Sequence, residues 1–151
     1  MRTALTAALT CAACAALRHT LEGADTQDAE PTRVRPLRNR GAAFGLPIPP
    51  AAIPPLSLAA LAAVLPRRRK HPFAVGLILG GGLSNLWERT RQGSVLDYLQ
   101  FPGAPGPIKR YVYNLADLAL FAGTLGLLRK PRGVPPKTER PPSIRQVSVK
   151  Q

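Results

Sequence analysis

The chain has 151 residues, enough for one domain, with a formal charge of +13, a pI near 11.3 and 45% hydrophobic residues. Two cysteines are too few for a disulfide framework. The charge is also not laid out as a nucleic-acid face: residues 46–65 and 72–87 hold no charged side chain, and residues 111–128 hold only Asp117.

Four apolar segments follow in chain order. The first, residues 3–17, is preceded by Arg2. It falls short of the roughly 20 residues that a spanning helix needs, so alone it also reads as a signal-peptide core. It can lengthen if Arg18 snorkels. Its Cys11 and Cys14 form a CxxC among Ala, Leu and Thr. Small-residue helix packing is the favoured reading there, over a redox pair or a lipid-attachment cysteine. The second segment, residues 46–65, opens with Pro47, Pro49, Pro50, Pro54 and Pro55, which predicts regular helix from near Pro55. The third, residues 72–87, contains Gly76, Gly80, Gly81 and Gly82, the residue type that lets membrane helices approach closely. The fourth is residues 111–128.

Between the second and third segments lies Arg67-Arg68-Arg69-Lys70-His71, and after Leu128 come Arg129, Lys130 and Arg132 with no acid until Glu139. The positive-inside rule puts Arg2, this cluster and the tail in the cytoplasm, which predicts four spans with both termini cytoplasmic. A topology signal is favoured over a nucleic-acid patch for residues 67–70. Residues 18–45 and 88–110 then face outward and carry most of the acids. Residues 1–130 form the membrane domain, and residues 131–151, rich in Pro, Lys and Arg, read as a disordered basic tail.

Two carboxylates stand out against this background. Asp97 follows the third segment and Asp117 lies inside the fourth. An aspartate at the centre of a membrane helix costs about 2.5 to 3.5 kcal/mol on insertion scales, so such a residue is a functional-site hypothesis by default. Asn85 and Glu88 are three apart, as are Asn114 and Asp117, so each pair shares a helical face. Antiparallel third and fourth helices bring Asn85, Arg89, Asn114 and Asp117 to one end, with Asp97 in the intervening loop. Two close carboxylates cannot easily both ionise and come to share a proton, the arrangement that suits aspartic proteolysis. The asparagines would fix carboxylate orientation, and Arg89 would pair with Glu88 or hold the loop. The alternative is that Asp97 is an ordinary loop residue and Asp117 a polar packing contact. The two histidines, His19 and His71, sit beside neither aspartate in sequence, which disfavours a metal site. Gly80-Gly81-Gly82 lacks the Lys and Ser/Thr of a phosphate loop.

Three blocks resemble signal peptidase II, the lipoprotein signal peptidase family. Asn39 to Phe44 matches its Asn-x-Gly-Ala-Ala-Phe; Ser84 to Tyr98 approximates Gly-Asn-x-x-Asp-Arg…Gly-x-Val-x-Asp-Phe; Tyr113 to Asp117 approximates Phe-Asn-x-Ala-Asp. Departures are Ser84 for Gly, Glu88 for Asp, Tyr98 and Tyr113 for Phe, and the lack of an Asp-x-x-Thr-Lys stretch near Ala15-Ala16-Leu17-Arg18-His19-Thr20. The resemblance implies an all-α integral membrane protein of four transmembrane helices with a small outward-facing β-containing subdomain, located in the bacterial inner membrane. It implies a membrane aspartic endopeptidase that removes signal peptides from diacylglyceryl-modified prolipoproteins. Asp97 and Asp117 would be catalytic, with Asn39, Gly41, Asn85, Arg89 and Asn114 supporting them or binding substrate. The partners implied are the lipid-modified prolipoprotein and membrane lipids, with no cofactor, metal or nucleic acid, and the chain acts as a monomer. Two other functions compete: an inactive relative that binds lipidated or apolar segments, and a secreted basic protein, which the charge-free runs disfavour.

Overall fold

The computed structural model describes residues 1–22, 34–41 and 46–129. Within them the chain builds four helices and one small sheet. The helices are α1 (Arg2–Glu22), α2 (Ile53–Val64), α3 (Pro72–Gln92) and α4 (Leu115–Leu128). The strands β1 (Val34–Asn39), β2 (Val95–Gln100) and β3 (Val112–Tyr113) form an antiparallel sheet in that spatial order, with β2 at its centre. The expected tail at residues 131–151 lies outside the described residues, as do Ala42, Ala43 and Phe44 of the first motif block.

The helices pack through small residues rather than large ones. A β-carbon added at Gly76 would lie 2.5 Å from Thr6 Cβ of α1, and one at Gly80 2.5 Å from Thr10 Cβ. Added at Gly81 it would lie 2.5 Å from the Ala116 carbonyl oxygen of α4, and at Gly82 2.5 Å from Leu61 Cδ2 of α2. Helix α3 is thus the hub, touched on three sides. Gly123 and Gly126 of α4 return the favour against Ala74 and Ile78 of α3. The two cysteines fit this packing. Cys14 is buried, and the Cys11 thiol donates to the Gly80 carbonyl at 3.2 Å. In α1 the hydroxyls of Thr6, Thr10 and Thr20 donate to the carbonyls four residues earlier, which keeps their polar atoms satisfied within the helix.

The element boundaries differ from the sequence expectations in instructive ways. Helix α1 continues five residues beyond Leu17, because Arg18 turns inward to a partner instead of snorkelling. Helix α2 starts at Ile53, after a 3-10 turn at Pro50–Ala52, with Pro54 in its first turn. Helix α3 runs on to Gln92 and stops where Gly93 takes a left-handed conformation (φ 68°) and donates its N–H to the Arg89 carbonyl at 3.0 Å. The fourth apolar run is not one element: residues 112–113 are strand, Asn114 is a helix cap, and only Leu115–Leu128 are helical. Asp97, expected in a loop, lies mid-strand in β2, whose buried Val95, Leu96 and Tyr98 pay the chain back for extension with apolar burial. Two helical stretches, Arg2–Glu22 and Pro50–Arg69, are long and apolar enough to cross a membrane; α4, at 14 residues, is apolar but shorter.

The glycine contacts predict a sharp contrast. Gly81→Ala pushes a methyl group into the Ala116 carbonyl and should destabilise the protein by about 1–3 kcal/mol. Gly103→Ala, with nothing within 4 Å, should be close to neutral. Thermal unfolding of the two purified variants beside the unsubstituted protein checks this.

Candidate active site

The site forms where the sheet meets the ends of α3 and α4. Strand β1 pairs with β2 so that Leu37 faces Asp97 and Asn39 faces Val95. Asn39 and Asp97 therefore stand diagonally on one face of the sheet, two positions apart. The pairing is irregular between Val34 and Leu37, where Pro36 has no N–H to give. Asn39 Nδ2 donates to Asp97 Oδ2 at 3.0 Å, and Gly41 N–H donates to Asn39 Oδ1 at 2.9 Å, which fixes the amide. A β-carbon at Gly41 would meet only an ordinary 3.5 Å contact, so this glycine contributes its backbone N–H, not open space.

Helix α4 begins with a capping box. Asn114 Oδ1 accepts the Asp117 N–H at 2.9 Å, and Asp117 Oδ2 accepts the Asn114 N–H at 3.0 Å. Asn114 Nδ2 then donates twice more, to Asp97 Oδ1 at 2.9 Å and to Asn85 Oδ1 at 3.2 Å. Asn85, one turn beyond Gly81 on α3, donates its own Nδ2 to Asp117 Oδ1 at 3.0 Å. One asparagine side chain thus joins both aspartates. Each of the four carboxylate oxygens accepts one hydrogen bond from this set, and each amide is turned by a second contact.

Asp97 is 4% exposed. Burial pushes its carboxyl up to about 6, the donors Asn39 and Asn114 pull against that, and the nearby Asp117 charge adds to the rise. Arg89 is half-buried and its charge acts on Asp97, favouring the ionised form. Among the described residues its guanidinium makes no hydrogen bond or ion pair. Glu88 does not pair with it: the Glu88 partner is Arg18 of α1, at 2.7 Å.

The structure therefore brings Asp97, Asp117, Asn39, Asn85 and Asn114 into one hydrogen-bonded cluster, with Gly41 behind Asn39 and Arg89 beside it. One participant was not singled out from sequence. The buried Tyr98 hydroxyl accepts the Leu115 N–H at 3.0 Å, tying the strand of one aspartate to the helix of the other. Its signal was the Tyr standing where the resembled motif has Phe.

A family profile described as Signal peptidase (SPase) II matches residues 12–130. The chain belongs to the signal peptidase II family. It is 44% identical over 55 residues to a lipoprotein signal peptidase of Methylorubrum extorquens, covering 36% of this chain and 31% of that one. It is 37% identical over 95 residues to a lipoprotein signal peptidase of Pelotomaculum thermopropionicum, covering 58% and 59%. The chain thus spans less than two thirds of the length of either signal peptidase. A solved bacterial membrane enzyme shares the fold with a TM-score of 0.70 at 19% identity, over 83% of this chain and 84% of that one.

The two jobs of Asn114 can be separated. Asn114→Ala loses both the cap and the bridge; Asn114→Ser keeps a capping oxygen but is too short to bridge. The alanine variant should be less stable than the serine variant by about 1 kcal/mol in thermal unfolding. Both lose a donor that favours the ionised carboxylate, so carboxyl NMR should find Asp97 titrating above its value in the unsubstituted protein, about 6.

Proposed function

We propose that this member of the signal peptidase II family is a membrane aspartic endopeptidase, with Asp97 and Asp117 as its catalytic pair. The observation that carries the reading is the Asn114 bridge: its side chain donates to the buried Asp97 carboxylate and accepts the Asp117 N–H, while its backbone N–H donates to the half-buried Asp117 carboxylate. The pair holds one proton between them. The ionised member takes a proton from water as the water oxygen attacks the scissile carbonyl carbon. The protonated member gives its proton to the carbonyl oxygen, forming a gem-diol; as the C–N bond breaks, the proton taken from water passes to the leaving amine and a gem-diol hydroxyl returns its proton to the other carboxylate, restoring the shared proton. Asn39, Asn85 and Asn114 hold the carboxylates in place. Arg89, with no ion-pair partner among the described residues, is available to a substrate carbonyl.

The substrate class follows from the family: a diacylglyceryl-modified prolipoprotein, cut before its lipidated cysteine. The helices are read as four spans of a cell membrane, with both termini and the exposed Arg67–Lys70 turn cytoplasmic and the sheet outside. α4, at 14 residues, is read as a short span. A second reading, an inactive relative that only binds lipidated segments, draws on Arg18 standing near the place where the family pattern has an acid.

Three outcomes are expected. First, the purified protein should cleave a diacylglyceryl-modified prolipoprotein, and Asp97→Asn or Asp117→Asn should each abolish cleavage. The double variant should be little worse than either single one, because residues acting as a unit are non-additive. Binding without cleavage by the unsubstituted protein would give the site to the second reading.

Second, the pH profile of kcat/KM should fall on its alkaline side with an apparent pKa near 6. The sign follows from the raised carboxyl: the shared proton survives past the ordinary carboxylate range and is lost as pH rises through 6, leaving no acid. Asn39→Leu removes a donor that favours ionisation, so that limb should move to higher pH. Third, with Cys11 and Cys14 replaced, a cysteine at position 68 should resist membrane-impermeant thiol reagents in intact cells while one at position 103 reacts. Reversed labelling would overturn the topology.

A further inference from the structure

We infer that Glu88 and Arg18 form a positioning latch that sets strand β2, and with it Asp97, against the bundle; as a statement about catalysis this rests on the peptidase reading above. Glu88 is 5% exposed, near the end of α3. Its two oxygens face different elements. Oε1 accepts from Arg18 Nη1 of α1 at 2.7 Å, and Oε2 accepts from the Leu96 N–H of β2 at 2.8 Å. Leu96 is the neighbour of Asp97, so the bond holds the backbone one residue from the carboxylate.

The sheet does not make this bond redundant. β2 is the central strand, yet its pairing with β3 reaches only Leu99 and Gln100, so on that side the stretch carrying Asp97 has no partner strand. Glu88 supplies an acceptor where a strand would otherwise be. Arg18 supplies the opposite charge that lets a carboxylate sit there, since a buried carboxylate left alone is strongly unfavourable. The half-open pocket between Arg18, Glu88, Asn85, Asn114 and Tyr98 is only about 10 Å³, at the lower limit of what one water molecule needs. Glu88 thus lines the same small pocket as Asn85 and Asn114, which hold the pair. Glu88 is one methylene longer than the Asp of the resembled motif, and Arg18 lies in the stretch that lacks the motif's Asp-x-x-Thr-Lys.

The experiment separates a latch from an ordinary stabilising ion pair. Four variants are compared, each at a temperature where it is folded: Glu88→Gln, Glu88→Leu, Arg18→Met, and the exchanged pair R18E/E88R. Glutamine keeps an acceptor for the Leu96 N–H, so exchange of that amide with deuterium should stay near that of the unsubstituted protein. Leucine removes the acceptor, and exchange should accelerate at least tenfold. Arg18→Met should show an intermediate acceleration. The exchanged pair decides the matter. It restores opposite charges, but arginine has no acceptor for an N–H, so it should regain stability without regaining Leu96 protection.

In cleavage, Glu88→Leu and the exchanged pair should lose about 10²-fold in kcat, as expected for small misplacements of reacting groups, with KM little changed. Glu88→Gln should lose far less. Recovery of Leu96 protection or of kcat by the exchanged pair, or unchanged exchange in Glu88→Leu, would overturn the latch. If the unsubstituted protein cleaves nothing, the peptidase reading fails, while the amide-exchange arm still decides whether Glu88 and Arg18 fix the strand. Should Glu88→Leu not fold, Glu88→Gln against Arg18→Met carries the same comparison: equal Leu96 exchange in these two would overturn the proposal.

Discussion

Everything at the site depends on how closely three helices approach α3. Gly80, Gly81 and Gly82 are consecutive, so they point about 100° apart around the helix axis. Each faces a different neighbour: α1, α4 and α2 in turn, with a hypothetical β-carbon at 2.5 Å in every case. At Gly80 and Gly81 a side chain would meet the backbone carbonyls of Ala7 and Ala116 and push those helices off, whereas at Gly82 only the flexible end of Leu61 stands in the way. The consequence reaches the polar cluster directly. Gly81 lies on the Ala116 carbonyl, one residue before Asp117, and Asn85 lies one turn further along α3. The backbone contact at Gly81 is what brings the Asn85 amide within 3.0 Å of Asp117 Oδ1.

Given that approach, the choice of asparagine as the partner of both aspartates has a physical logic. An arginine in hydrogen-bond contact would drop a carboxyl by about 1–3 units and leave both carboxylates ionised. A neutral amide orients a carboxylate equally well and stabilises its charge far less. Burial then outweighs the hydrogen bonds, and Asp97 stays well above the ordinary carboxylate range. Arg89 stands beside the pair without touching it. The cost of burying so many polar atoms is contained because they satisfy one another: among the described residues no buried side-chain nitrogen or oxygen lacks a partner.

Much of this was legible in the sequence. The Asn85/Glu88 and Asn114/Asp117 spacings and the antiparallel third and fourth segments were enough to gather Asn85, Asn114 and Asp117 at one end, and they are bonded there. Asn39 came only from the motif resemblance, because nothing in its local pattern says that β1 pairs with β2. The strand under Asp97 was missed since its apolar neighbours follow a helix without a turn signal stronger than Gly93. The fourth apolar run was read too long for a related reason. Hydropathy averages over Tyr111 to Leu128 and is blind to the cap at Asn114, which ends the strand and starts the helix within one residue. The Arg18–Glu88 pair, 70 residues apart, leaves no local trace at all.

The departures from the family pattern prove to be places where an added atom is used. Tyr98 differs from Phe by one hydroxyl, and that oxygen takes the Leu115 N–H, one of the donors that a helix start leaves unpaired. Glu88 differs from Asp by one methylene, and its two oxygens span from α1 to β2. Both changes add a tie to β2, the strand that carries Asp97: Tyr98 joins it to α4, which carries Asp117, and Glu88 joins it to α3 and α1. β3 is only two residues long and touches β2 at its far end, so strand pairing holds Asp97 from the β1 side alone. Side-chain ties add to the β1 pairing in holding the carboxylate to within hydrogen-bond tolerance, and these two residues supply them.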